Sequence, residues 1–148
     1  MSTTNQYRSM NPTLIEFHIP DFDLAREFYS KLFFEICWER SPEEMKGYLV
    51  LSLEDNTICF WGGNEDIYAQ KYFQKFPSET PRGFGIEIVI QVEDVCSYYE
   101  RVKDKIEIFE PLCMRPWGLE DFRLIDPFGF YLRVTSKHDV RDPKYAVK

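Results

Sequence analysis

Glu16 and His18 stand two residues apart, so in an extended segment they present a carboxylate and an imidazole on one face. The same alternation groups Glu87, Val89 and Gln91 in a later segment, and Tyr131, Arg133 and Thr135 in the last one. Such faces offer ion pairing, hydrogen bonding and, at His18, an imidazole of the kind that transfers protons. Spacing fixes no second titrating partner for His18, so no catalytic residue is assigned. With Pro20 close behind it, His18 also fits a strand-end histidine with a satisfied hydrogen bond. Trp117 lies in Pro116-Trp117-Gly118, a loop composition suited to stacking on a planar ligand. Trp61 ends a further alternating set, Thr57, Cys59 and Trp61. Packing in a core or interface remains an alternative for both tryptophans.

The elements that must carry these residues follow from periodicity. Alternation predicts strands over 14–19, 35–40, 47–53 and 57–61, with a turn at Glu54-Asp55-Asn56. Leu24, Phe28, Tyr29 and Leu32 recur at helical spacing over 23–32, with Asp21 or Asp23 as N-cap. The second half repeats the order: a strand over 85–92, a helix over 95–102 and a short strand over 106–109. Two strands, 121–125 and 130–135, then flank Asp126-Pro127-Phe128-Gly129. In that hairpin Pro127 fixes φ and Gly129 permits a left-handed residue. The organisation is therefore a first βαβββ module over 12–62, a connector with a short helix over 63–83, and a second module over 84–136. Polar tails at 1–11 and 137–148 complete it.

Composition excludes several classes. A net charge of -7 gives phosphates little to bind, so nucleic acid is not an expected partner and a cationic ligand is better suited. No apolar run reaches the ~18 residues of a membrane span, and the polar start lacks the pattern of a signal peptide, which leads to a cytoplasmic expectation. Cys37, Cys59, Cys96 and Cys113 lack CxxC spacing and neighbour apolar segments, which predicts buried, reduced thiols. Two histidines are too few for a histidine-rich metal site.

Asp21-Phe22-Asp23-Leu24-Ala25-Arg26-Glu27-Phe28-Tyr29, Gln91-Val92-Glu93-Asp94-Val95, Arg115-Pro116-Trp117-Gly118 and Asp126-Pro127-Phe128-Gly129 occur in order across the repeat. Together they resemble the vicinal oxygen chelate superfamily of glyoxalases, bleomycin resistance proteins and dioxygenases, most closely the bleomycin resistance-like subgroup. The resemblance implies an α+β fold of tandem βαβββ modules, whose curved mixed sheets enclose a cup closed within one chain or between two copies, hence an expected homodimer. It also implies that the metal-ligand positions of the family's enzymes fall on Leu14, Cys59 or a neighbour, Glu87 and Arg133. Leu14 has no donor, and a guanidinium at Arg133 repels a divalent ion. His18 lies four residues from the first position, more than about 10 Å along a strand. No metal or other cofactor is therefore expected, and Glu87 is expected to pair with Arg133.

A metal-independent protein that sequesters a small, cationic and partly aromatic compound follows, as in antibiotic resistance. Glu16, His18, Trp61, Glu87, Trp117, Tyr131 and Arg133 are its candidate binding residues. Two alternatives remain at this point. One is a glyoxalase-like lyase or isomerase with an atypical metal set such as Glu16, His18 and Glu87. The other is a dimeric interaction module whose cup is filled by Tyr131 and Arg133.

Overall fold

A computed structural model describes residues 13–145, so the expected tail at 1–11 lies outside the described residues. Alternating apolar residues build eight strands: β1 (Glu16–Ile19), β2 (Glu35–Arg40), β3 (Gly47–Leu53), β4 (Asn56–Gly62), β5 (Glu87–Val92), β6 (Glu110–Met114), β7 (Glu120–Ile125) and β8 (Tyr131–Ser136). Helix α1 (Phe22–Lys31) follows β1, and α2 (Val95–Val102) follows β5. Each helix starts where an aspartate satisfies free backbone N–H groups. Asp21 accepts from Asp23 N (2.8 Å) and Leu24 N (3.2 Å), and Asp94 accepts from Cys96 N and Ser97 N.

The strands form two four-stranded sheets of identical order, β1-β4-β3-β2 and β5-β8-β7-β6. In each, the first and last strands pair in parallel and the other neighbours antiparallel. This is the α+β, twice-repeated βαβββ architecture expected from the sequence. By packing, the described residues divide into one unit of 13–26 with Phe33–Ser78 and a second of Glu27–Leu32 with 79–145. Module boundaries drawn from strand order therefore differ from packing at α1 and at the connector.

In the first unit, Ile19, Phe22, Ala25, Leu49, Leu51, Ile58 and Phe60 form the buried core. In the second, Ile90, Val92, Phe122, Leu124, Leu132 and Val134 pack with Val95, Tyr98 and Val102 of α2. Burying this apolar area supplies the main stabilisation, at ~25 cal/mol per Å². A polar link lies inside the second core. The Tyr29 hydroxyl donates to Asp126 Oδ2 (2.9 Å), while Asp126 Oδ1 accepts from Phe128 N and Phe130 N (both 2.9 Å). That carboxylate closes the turn whose last residue, Gly129, has φ 101°.

Three expectations need correction. The strand expected at 106–109 forms at Glu110–Met114: of the expected run only Phe109 reaches β7, its N–H donating to Arg123 O, and the paired register runs on from Glu110 opposite Arg123. Pro111 is tolerated there since β6 is an edge strand. The connector helix is two short 3-10 segments, Glu65–Ala69 and Phe73–Lys75, with Ile67 fully buried. Of the four cysteines, all reduced, only Cys59 is buried; Cys37, Cys96 and Cys113 are exposed. No described helix is long and apolar enough to cross a membrane.

Candidate functional site

Strand register sorts the candidate residues onto one face of each sheet. In the first unit, β1 pairs Glu16 with Cys59 and His18 with Trp61, and β3 sets Tyr48 opposite Trp61. Opposed residues share a face, so Glu16, His18, Tyr48, Cys59 and Trp61 line one surface. Trp38 joins them through a bulge between Ile36 and Trp38, which re-phases the alternation and brings Trp38 opposite Val50.

The rings on this face form two groups, Trp38 with Tyr48 and Trp61 with His18 and Phe73, joined by the register that sets Tyr48 opposite Trp61. Trp38 and Tyr48 have ring centroids 6.1 Å apart, His18 and Trp61 4.5 Å, and His18 and Phe73 4.8 Å. Trp38 is 49% exposed, an unusual position for so large a ring and one that leaves its face open to a ligand. Burial pushes the Tyr48 phenol far above its ordinary range, reinforced by the Cys59 thiol and the Glu16 carboxylate. Tyr48 thus remains a neutral hydrogen-bond donor, and burial likewise raises the Cys59 thiol. Neither is an ionised nucleophile or base at neutral pH. Spacing had singled out Glu16, His18 and Trp61; Trp38, Tyr48 and Phe73 were missed because a bulge and a strand partner place them.

In the second unit, Glu87 stands opposite Tyr131, Val89 opposite Arg133, and Arg123 opposite Arg133. Glu87, Tyr131 and Arg133 therefore share a surface, as alternation predicts. Arg133 Nε lies 3.1 Å from Glu87 Oε1, the expected ion pair. That nitrogen is buried and makes no hydrogen bond, so the carboxylate sits off the N–H direction. Trp117 reaches the same guanidinium, 5.8 Å from its ring centroid. Its loop is held by Gly118 N donating to Arg115 O and Arg115 N donating to Leu119 O, with Gly118 at φ 90°.

Two further guanidiniums were not anticipated. Arg115 donates to Asp121 Oδ1 (2.8 Å) and Glu110 Oε2 (2.7 Å). Arg123 donates to the Tyr131 hydroxyl (3.2 Å), approaches Glu87 Oε1 (3.5 Å), and shares the fully buried Asp121. The available signal was Asp121-x-Arg123, which alternation places on the face of Arg133 once β7 and β8 are paired. An open depression of about 440 Å³ adjoins Glu87 and Tyr131, lined also by residues 81–86 and Gly129.

A divalent cation does not fit this chemistry. Glu87, the one hard donor among the positions that the resemblance implies, lies within 3.5 Å of two guanidiniums. Among the described residues no three His, Cys, Asp or Glu side chains come together as a cage.

No family model matches the sequence, and no curated protein matches it. Solved structures do match. A bleomycin resistance determinant encoded on transposon Tn5 superposes with a TM-score of 0.63 at 18% identity, covering 88% of this chain and 100% of that one. A bleomycin-binding protein complexed with bleomycin gives 0.59 at 17%, covering 87% and 100%. A glyoxalase/bleomycin resistance protein/dioxygenase superfamily member from Sphaerobacter thermophilus gives 0.59 at 16%, covering 83% and 94%. The chain has the vicinal oxygen chelate fold. At these identities the likeness establishes the fold and leaves the ligand to the chemistry of the two faces.

Proposed function

We propose that this protein binds and sequesters a small, cationic, partly aromatic molecule without using a metal, in the manner that a bleomycin resistance-like member of the vicinal oxygen chelate superfamily would. The observation that carries this reading is the pair of ring groups, Trp38 with Tyr48 and Trp61 with His18 and Phe73, beside the Glu16 carboxylate. Stacked rings hold a planar ligand, and a ring face with an adjacent carboxylate favours positive charge, at roughly 0.5–2 kcal/mol per cation–π contact. A net charge of -7 helps to attract such a ligand. Two neighbours named for bleomycin resistance or bleomycin binding lend support at the level of fold.

Sequestration requires affinity and no reacting group, which suits a face whose phenol and thiol stay protonated. The test is equilibrium titration of chelator-treated protein with a panel of planar aromatic cations, bleomycin included, comparing wild type with Trp61→Ala. Saturable binding weakened about tenfold or more by the substitution is expected. Binding only in the presence of added divalent ions would instead favour a metal-dependent lyase or isomerase.

A homodimer in the cytoplasm is part of the same reading. Phe84 is 100% exposed and Ile86, Phe109 and Ile125 are about half exposed, which supports burial against a second copy.

A further inference from the structure

The geometry points to Arg133 as the receptor of an oxyanion site in the second unit, for a small molecule carrying a single carboxylate. This goes beyond the cation-binding reading and uses none of the aromatic residues, Trp38, Tyr48, Trp61, His18 and Phe73, that carry it.

Arg133 is the exception among the guanidiniums of its face. Arg115 and Arg123 donate hydrogen bonds to carboxylates, and Arg123 also to a phenol. The Arg133 side chain is 18% exposed, yet it makes no hydrogen bond to any described residue, and its Nε is fully enclosed. A guanidinium has five N–H donors, and a secluded cation normally satisfies most of them. Its contacts are the off-axis ion pair with Glu87 and the Trp117 ring. The Trp117 ring lies beside the guanidinium, and an arginine so placed can take a planar oxyanion through two parallel hydrogen bonds.

Charge selects the class of anion. Arg115, Arg123 and Arg133 are balanced on this face by Glu87, Glu110 and Asp121. A monoanion adds one negative charge and gains the unused donors. A phosphate dianion adds a second charge beside Glu87 and Asp121, and like charges held this close oppose it. Glu87 also competes with the ligand for the guanidinium, so removing its charge should improve binding.

The test is calorimetric titration of the full chain with benzoate, benzamide and inorganic phosphate. Wild type should bind benzoate saturably in roughly the millimolar range or tighter, benzamide not measurably, and phosphate more weakly than benzoate. Arg133→Gln should weaken benzoate at least about tenfold, Arg133→Lys should recover only part of the loss, and Glu87→Gln should tighten binding several-fold. Absence of saturable benzoate binding to wild type, equal affinity for benzamide, or tighter phosphate binding would overturn the assignment. So would an Arg133→Gln variant that keeps wild-type affinity. Should that variant fail to fold, the Glu87→Gln result decides, with unchanged or weaker binding counting against the site.

Discussion

Each titrating side chain owes its behaviour here to what surrounds it. Asp126 accepts hydrogen bonds from two backbone N–H groups and the Tyr29 hydroxyl, which favour its anion, yet burial wins and raises its pKa above the ordinary 3.8. A carboxyl raised in the folded state contributes stability that is fully present below 3.8 and is lost as pH rises through the folded value. Asp126→Asn should therefore gain on wild type as pH increases from 3.8 toward neutrality, as denaturant melts at a series of pH values would record. Tyr29→Phe leaves a buried carboxylate short of one donor and should cost about 1–3 kcal/mol, measured by the same melts at pH 7. The thiols offer a quicker check. Cys37, Cys96 and Cys113 should react promptly with a thiol reagent under native conditions, while Cys59, 3% exposed, should wait for unfolding. The sequence misjudged three of these thiols because apolar neighbours in the chain do not bury a residue that faces outward.

At the scale of elements, most of the architecture was readable, since alternation and helical spacing are local properties. β2 and β3 fall on the expected residues, α2 does as well, and Asp21 caps α1 as expected. What escaped depends on pairing. β6 lies beyond the apolar residues 106–109 because only Phe109 of that run bonds to β7, and the paired register runs on from Glu110. Trp38 shares a face with Trp61 only because a bulge breaks the two-residue period. Arg115 and Arg123 gain their meaning from Asp121, whose burial follows from the pairing of β6, β7 and β8. Turn chemistry, by contrast, is written in the residues themselves. Gly129 sits at φ 101°, and an added Cβ would press on the Arg82 backbone, so Gly129→Ala should cost at least about 1–2 kcal/mol in thermal or denaturant unfolding.

For the whole molecule, duplication of βαβββ supplies two sheets whose apolar faces make cores and whose other faces are free to diverge. One face has become aromatic with a carboxylate, the other a network of guanidiniums and acids. Overall acidity adds a long-range pull on cations, so the association rate of a cationic ligand should fall as ionic strength rises past ~0.1 M, while a purely stacked complex would change little. If the molecule pairs with itself through its exposed apolar residues, Phe84→Asp should shift the sedimentation profile from dimer to monomer.

Metal-free binding on the aromatic face is tested by titrating chelator-treated protein with the planar aromatic cations, wild type against Trp61→Ala. Saturable binding without metal, weakened about tenfold or more by the substitution, is expected. Binding that appears only with added divalent ions, or that Trp61→Ala leaves untouched, would contradict it.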